Sequence, residues 1–301
     1  MKQVCVITDS VACLTHEQAK KHKIEIVPMK ILYNGIMYRD GIDLSSKEAY
    51  RILGKSPDSF STAPSSPIDY IDIFTEKARK GYDILCISVS SQLSTTYNVA
   101  RIAADTVKTE VPDAQIEILD SATATASQGF IAMEAAKVAA QNKDLVSVLS
   151  TAKNIRERVN VYLVLDTIEH AYRTGRIPKI ASQMGSVLGV KPLITITDGV
   201  VHFVSAVRSS NRGVSKMVDN IKRDVGSNSI HMAVMHTDIP EEANKLKKRV
   251  EREFNCKELF ITEVSPVIGY SIGRGTLALA YYQLLFTGLQ SSKEAVLVHF
   301  E

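Results

Sequence analysis

The sequence predicts an α/β protein with two domains, of which the first has a mainly parallel sheet flanked by helices and the second is α+β. In the first half of the chain, short apolar runs alternate with helical patterns, as is typical of βαβ units. In the second half, Asp198-Gly199 separates two β-like runs and indicates a hairpin. A length of 301 residues is enough for two cores of ordinary size. We expect residues 1–158 and 159–301 to form the two domains.

In the first half, strands are predicted where apolar residues run continuously, and helices where they recur every three to four residues. Asn34-Gly35 predicts a hairpin turn between two of the strands. In chain order, the strands cover residues 4–8, 24–28, 29–32, 36–38, 84–89 and 116–119, and the helices cover residues 15–22, 45–53, 67–79, 96–107, 127–141 and 145–158.

The same patterns predict a meander and further helices in the second half. The predicted strands cover residues 161–165, 193–197, 200–207, 230–235 and 258–264. The predicted helices cover residues 209–225, 239–254 and 276–286, and residues 295–300 have the composition of a strand.

Composition and charge exclude several classes of protein. A hydrophobic content of 45% and a charged content of 23% are typical of a soluble folded protein rather than a disordered one. The net charge of +3 gives no reason to expect a nucleic-acid partner. No run approaches the roughly 20 apolar residues that an integral membrane helix needs, and the N-terminal apolar run is too short for a signal peptide.

The four cysteines lack CxxC spacing, which favours a reducing compartment without a zinc site. We therefore expect a cytoplasmic protein.

The most informative stretch is residues 90–97, Ser-Ser-Gln-Leu-Ser-Thr-Thr-Tyr, between a predicted strand and a predicted helix. A loop that opens a helix presents backbone N–H groups and hydroxyl donors to one point in space, which suits an anion or a polar head group. These hydroxyls also suit helix capping. One cap needs only one hydroxyl, and this loop carries five, so we favour ligand binding.

Three predicted parallel strands end in similar chemistry. They run into Thr8-Asp9-Ser10, Ser90-Ser91 and Asp120-Ser121. Ligands of open parallel sheets bind in the crevice beyond the carboxyl ends of the strands. The same residues are also ordinary N-caps of the helices that follow, and both interpretations can hold together.

Catalytic signatures are weak. Nucleophilic catalysis needs an activated Ser or Cys beside an oriented His, yet the sequence has no GxSxG elbow, P-loop or metal-ligand spacing of His. Gly273-Arg274-Gly275 lacks the strand immediately before it and the third glycine of a dinucleotide fingerprint. We therefore expect no catalytic residue, no metal and no cofactor. An enzyme, perhaps a hydrolase or transferase using Ser94, remains the alternative, with its base drawn from Asp9, Asp120 or His236.

A set of segments in order resembles the DegV family of bacterial fatty-acid-binding proteins over roughly residues 3–286. The ordered set is far more specific than any one motif. It comprises Ile7-Thr8-Asp9-Ser10, Tyr38-Arg39-Asp40-Gly41-Ile42-Asp43-Leu44-Ser45, Ser61-Thr62-Ala63-Pro64-Ser65, Ser90-Ser91-Gln92-Leu93-Ser94-Thr95-Thr96-Tyr97, Leu119-Asp120-Ser121, Thr174-Gly175-Arg176-Ile177, Gly189-Val190-Lys191-Pro192-Leu193, Val207-Arg208 and Pro266-Val267-Ile268-Gly269.

The resemblance implies a long-chain fatty acid in a buried tunnel, with its carboxylate held where the two domains meet. It also implies a partner, a fatty-acid kinase that phosphorylates the presented carboxylate for phospholipid synthesis. Carried over by position, the carboxylate-binding residues are Ser61, Thr62, Ser94, Thr95, Thr96, Ser271 and Ile272. Arg176, Arg208 and Arg274 are assigned to the head-group rim or to a surface facing the kinase, and Lys191 matches another basic position of the family.

The sequence departs from the family at two positions of the implied site. The family's Gly-Thr-His-Thr-Gly-Pro-Gly is Gly-Tyr-Ser-Ile-Gly-Arg-Gly at residues 269–275, so Ser271 stands where a His commonly binds the carboxylate. Thr95 replaces a loop glycine and adds a Cβ close to the ligand. Either Arg274 or a water compensates for the missing His, or the preferred lipid differs. The alternative is a divergent paralogue that binds another amphiphile or that does not serve the kinase at all.

Overall fold

A computed structural model describes residues 2–176 and 189–284 of the chain, and the predicted strand at residues 295–300 lies outside this part. The strands are β1 Val4–Asp9, β2 Glu25–Val27, β3 Lys30–Tyr33, β4 Ile36–Arg39, β5 Phe60–Ala63, β6 Asp83–Ser88, β7 Ile116–Asp120, β8 Asn160–Val164, β9 Lys191–Thr197, β10 Val200–Val207, β11 Ile230–His236, β12 Cys256–Glu263 and β13 Leu277–Gln283. The helices are α1 His16–His22, α2 Ser46–Lys55, α3 Pro67–Arg79, α4 Thr96–Glu110, α5 Ala126–Ala139, α6 Leu145–Arg156, α7 Glu169–Arg173, α8 Ser210–Val225, α9 Pro240–Glu253 and α10 Pro266–Ile272.

The first sheet is parallel, as the sequence predicts, with the order β2-β1-β6-β7. Helices cover both of its faces, because its strands are apolar on both sides. Cys5 and Ile7 of β1 pack with α3 and α4, whereas Val4 and Val6 pack with α5 and α6. All six residues of β1 are buried. This burial explains why the strand is a continuous apolar run rather than an alternating one.

Helix α5 lies between the first sheet and the second. Phe130, Ile131 and Met133 share one apolar cluster with Val6 of β1 and Ala280 of β13. Because α5 contacts apolar side chains around most of its circumference, it carries no polar face through most of its length. The helix therefore joins the two sheets into one core.

The second sheet has six strands in the order β10-β9-β8-β13-β11-β12. β11 and β12 are parallel, and the other neighbouring pairs are antiparallel. Its face opposite α5 is covered by α8 and α9, which bury Met217, Ile221 and Leu246 against it. The Asp198-Gly199 turn joins β9 to β10, as predicted, with φ of 51° and 79°.

A small antiparallel sheet with the order β4-β3-β5 stands beside the first sheet. The predicted hairpin at Asn34-Gly35 joins β3 to β4, with both residues at positive φ. The sequence analysis did not predict β5. Its sequence, Phe-Ser-Thr-Ala, contains no apolar run as long as a strand. The segment is identified as a strand only by its pairing with β3.

The prediction of a helix at residues 276–286 is wrong, because residues 277–283 form β13. The Leu-Ala-Leu-Ala-Tyr-Tyr run is buried throughout, and a short buried strand cannot be told from a buried helix by periodicity alone. β13 pairs with both β11 and β8 in the middle of the sheet. The short helices α7 and α10 were also missed. No helix in the described part of the chain is long and apolar enough to cross a membrane.

Candidate functional site

A cavity of about 350 Å³ lies where the carboxyl ends of β1, β6 and β7 face the second sheet. This is the crevice at which the sequence analysis expected a ligand. Its wall is mostly aliphatic, with several hydroxyl residues among its members. The residues around it are Val11, Met29, Thr62, Ala63, Pro64, Val89, Ser91, Gln92, Leu93, Ser94, Thr95, Ala124, Thr125, Leu163, Ala171, Arg176, Ile194, Ile196, Val201, Val267, Ile268, Ser271 and Ile272.

The hydroxyl loop forms the polar side of this cavity at the N-terminus of α4. Ser94 and Thr95 line the cavity, whereas Thr96 is fully buried beneath them. The Ser94 and Thr96 hydroxyl oxygens are 2.8 Å apart, and the Thr96 N–H donates to Ser94 Oγ at 3.2 Å. The positive end of a 15-residue helix therefore lies at the cavity.

Thr95 fits where the family has a glycine. Its φ of −78° and ψ of 0° lie in the right-handed helical region, so the backbone does not require a glycine there. Its side chain makes no capping hydrogen bond with the helix. The Thr95 hydroxyl thus adds a polar group to the cavity without backbone strain.

Thr62 reaches the cavity from β5, while Ser61 does not line it. In the sheet, Thr62 stands opposite Ile31 and Ser61 stands opposite Leu32. Neighbouring residues of a strand point to opposite faces. The structure therefore separates the two hydroxyls that the sequence analysis grouped together.

Helix α10 brings Ser271 and Ile272 to the cavity. The helix begins at a Ser265 cap followed by Pro266, a start signal that is readable from the sequence. Its Gly269 packs on the Tyr50 ring so closely that a Cβ would overlap the ring. The Tyr50 hydroxyl in turn donates to the Val264 carbonyl at 2.7 Å, which fixes α2 against the segment leading into α10.

Of the three arginines assigned to the rim, Arg176 alone lines the cavity. It is also the only charged residue among the described residues of the wall, and it donates to the Thr174 carbonyl at 2.7 Å. Arg208 is exposed just after β10. Arg274 forms an ion pair with Asp238 and is not part of the wall, so the structure gives no support to compensation for Ser271 by Arg274. Lys191 pairs with Asp166.

The polar residues at the strand ends mainly hold the loops around the cavity. Asp9 is fully buried and accepts hydrogen bonds from the N–H groups of Val11 and Val89 at 3.1 and 2.8 Å. Burial raises the pKa of its carboxyl to about 6, although these hydrogen bonds oppose the rise. Ser90 Oγ donates to the Gly199 carbonyl at 2.8 Å and ties the β9–β10 hairpin to this edge.

The aliphatic wall from the second sheet was not predicted. Leu163, Ile194, Ile196 and Val201 belong to strands whose apolar residues fit any sheet core. Only the meeting of the two sheets exposes them to a cavity. Thr125, at φ 64°, also lines the cavity in a conformation that β-branched residues rarely adopt, and nothing in the sequence marks it.

The geometry gives Ser94 no catalytic base among the described residues. Its hydroxyl is hydrogen-bonded to that of Thr96. Asp120 accepts from the N–H groups of Ser91 and Ala122 at 3.2 and 2.8 Å, and His236 Nδ1 accepts from the Ile239 N–H at 3.3 Å. Each of these groups is therefore hydrogen-bonded to a residue other than Ser94.

Comparison with known proteins agrees with this architecture. The family model described as an uncharacterised protein of the DegV family matches residues 3–284. The chain belongs to the DegV family. A DegV domain-containing protein of Clostridium perfringens is 33% identical over 280 residues, which cover 92% of this chain and 98% of that protein. Another from Clostridium acetobutylicum is 29% identical over 280 residues, covering 93% and 97%.

Solved DegV structures share the fold. The fatty-acid-binding DegV of Bacillus subtilis superposes with a TM-score of 0.85 at 23% identity, covering 94% of this chain and all of that chain. A stearic-acid-binding protein of Eubacterium ventriosum gives a TM-score of 0.87 at 23% identity, covering 94% and 98%. At this identity, the DegV structures establish the architecture of this chain.

Proposed function

We propose that this chain binds a long-chain fatty acid, with the acyl tail in the cavity and the carboxylate at the hydroxyl side. The observation that supports it is a mostly aliphatic cavity lined by the hydroxyl loop at the N-terminus of α4. Ser94 and Thr95 are the central carboxylate ligands in this proposal. Thr62, Ser271 and Ile272 border the same cavity, and Thr96 orients Ser94 from beneath.

The two parts of the cavity suit the two parts of a fatty acid. Burial of each methylene group contributes about 0.8 kcal/mol, so an aliphatic wall favours a long tail. Hydroxyl donors and the positive end of α4 favour an anionic head. Arg176 supplies the positive charge at the cavity wall.

We further propose that the bound carboxylate is presented to a fatty-acid kinase, which converts it to an acyl phosphate. The exposed Arg208 is a candidate contact with the acidic surface of such a kinase. We expect Arg208→Glu to reduce acyl-phosphate formation in a reconstituted kinase reaction while the fatty-acid affinity stays unchanged. Equal rates for the variant and the wild type would exclude Arg208 from that contact.

The first experiment for the proposed function is mass spectrometry of an organic extract of freshly purified protein. We expect one long-chain fatty acid per chain, chemically intact. A different amphiphile at the same stoichiometry would identify a divergent relative with a changed ligand. An extract without lipid, together with no uptake of added fatty acid, would overturn the proposal.

A further inference from the structure

A cluster of titratable side chains lies beside the C-terminal half of α5, whereas the cavity lies at the N-terminal end of the same helix. Glu134 of α5, His231 of β11 and Glu258 of β12 each bring one ligating atom to within 4.8 Å of the others. His231 and Glu258 stand opposite each other in the sheet, with Nδ1 and Oε2 2.8 Å apart. The cluster is thus built on two strands and a buried helix rather than on loops.

A cation already lies between the two carboxylates. The Lys137 ammonium is 2.6 Å from Glu134 Oε1 and 3.6 Å from Glu258 Oε2. Glu258 therefore contacts both the His231 imidazole and the Lys137 ammonium. About a third of the Lys137 side chain is exposed, so the ammonium can move out into water when another cation enters.

A second observation comes from Tyr282 of β13, on the same side of the sheet. Its ring lies 4.9 Å from the His231 ring, and the residue is only 1% exposed. Its hydroxyl lies beside the Glu134 carboxylate, yet it makes no hydrogen bond of good geometry within the described part of the chain. A buried hydroxyl that is poorly paired is unfavourable, and a water held by a bound ion would relieve it.

We propose that Glu134, His231 and Glu258 form a binding site for a divalent transition-metal ion, for which Lys137 competes, and that Tyr282 donates to a water on that ion. One imidazole nitrogen and two carboxylate oxygens suit Zn²⁺ better than Mg²⁺ or Ca²⁺, which prefer oxygen ligands alone. Ligand bonds of about 2.0–2.2 Å at a tetrahedral ion place the ligand atoms about 3.4 Å apart. Atoms of the cluster that lie as far as 4.8 Å apart must therefore approach, and the close His231–Glu258 pair must separate slightly. Rotation about the torsions of the two Glu side chains allows this movement.

Other charges around the cluster modulate the affinity. The Arg158 guanidinium lies 5.7 Å from the Tyr282 ring centre, and His22 of α1 lies on the same side, where burial and the Lys137 charge lower its pKa. With Lys137 and Arg158 in place, the charges of the two carboxylates are balanced. Removing the lysine leaves a net negative site, so this change should tighten metal binding.

The test uses the full-length protein, stripped with a chelator and titrated with ZnCl₂ against a chromophoric competitor. We expect one Zn²⁺ per chain for the wild type. Glu258→Gln and His231→Ala should weaken binding at least tenfold, because each removes a ligand of the ion. Lys137→Met should tighten it about tenfold. His202→Ala, which removes an exposed imidazole of β10 outside the cluster, should leave the affinity unchanged.

Circular dichroism without zinc checks that each variant is folded. If His231→Ala fails to fold, Glu258→Gln and Lys137→Met still decide the question, because both leave the imidazole in place. Wild-type protein that binds no Zn²⁺ would overturn the proposal. Zinc binding that is equal in the wild type, Glu258→Gln and Lys137→Met would overturn it too, since it would place the ion elsewhere.

Discussion

At the scale of single residues, Ser94 belongs both to the cavity wall and to the hydrogen bonds of its own loop. Its oxygen accepts the Thr96 N–H at the start of α4, and the residue also lines the cavity. We expect Ser94→Ala to weaken fatty-acid binding at least tenfold, since one hydrogen bond to a charged carboxylate contributes about 1.5–3 kcal/mol. Calorimetric titration measures the affinity. Thr106→Ala, which removes an exposed hydroxyl of the same helix, should have no effect on binding, and a Ser94→Ala protein that unfolds would indicate a structural role instead.

Ser271 tests whether the departure from the family motif weakens the site. It lines the cavity, and a His there would add an imidazole donor near the proposed carboxylate. We expect Ser271→His to tighten fatty-acid binding about tenfold, within the ~1.5–3 kcal/mol of a hydrogen bond to a charged group. Ser271→Leu adds bulk without a donor and should not tighten binding. An unchanged affinity for Ser271→His would argue against a weakened site.

Glu258 makes the stability depend on pH in the acid range. Its pKa falls from the usual 4.5 to about 2 in the folded chain, chiefly because of the hydrogen bond with His231. Since the folded pKa is the lower one, this stabilisation is complete above about pH 4.5 and is lost as the pH falls towards 2. Urea unfolding in metal-free buffer should show a smaller loss between pH 5 and pH 3 for Glu258→Gln than for the wild type. An equal loss of unfolding free energy between pH 5 and pH 3 in the two proteins would contradict this expectation.

At the scale of elements, the contact between α2 and α10 depends on a glycine. A Cβ on Gly269 would overlap the Tyr50 ring, which is buried and cannot move aside. We expect Gly269→Ala to lower the free energy of unfolding by about 1–3 kcal/mol, as overpacking does. In a Tyr50→Leu background, Gly269→Ala should lower the free energy of unfolding much less. An equal decrease in both backgrounds would show that contact with Tyr50 is not the cause.

Gly54→Ala is the matched control for this contact. Its Cβ would meet only the guanidinium end of Arg274, a half-exposed side chain that can move away. Gly54 also lies inside α2, where alanine is the better helix former by about 1 kcal/mol. We therefore expect Gly54→Ala to leave the free energy of unfolding, measured by chemical denaturation, nearly unchanged.

At the scale of the whole molecule, α5 makes the two sheets one core. Phe130 packs on Phe260 and Tyr282 of the second sheet, with ring centres 5.6 and 5.2 Å apart, while Ile131 shares the cluster that contains Val6 of the first. We propose that residues 1–158 and 159–301 are two domains by chain order, and we expect them to unfold together. Calorimetry should give one transition, with equal calorimetric and van't Hoff enthalpies. Two separated transitions would show that α5 does not couple the sheets.

The sequence alone determined the hairpins at Asn34 and Asp198 and the hydroxyl loop before α4, because each depends on residues that are neighbours in the chain. It also determined the parallel first sheet, because strand and helix patterns alternate along the first half. It predicted a helix where β13 lies, since a strand paired on both sides and buried throughout has no period that separates it from a buried helix. Only the tertiary structure decided that Thr62, Ser94 and Ser271 meet at one cavity. It also decided that Arg274 pairs with Asp238 and that the second sheet contributes Leu163, Ile194, Ile196 and Val201 to the wall. The physical reason is that a cavity forms where packed elements leave space unfilled. The position and size of that cavity depend on how the two sheets pack around α5.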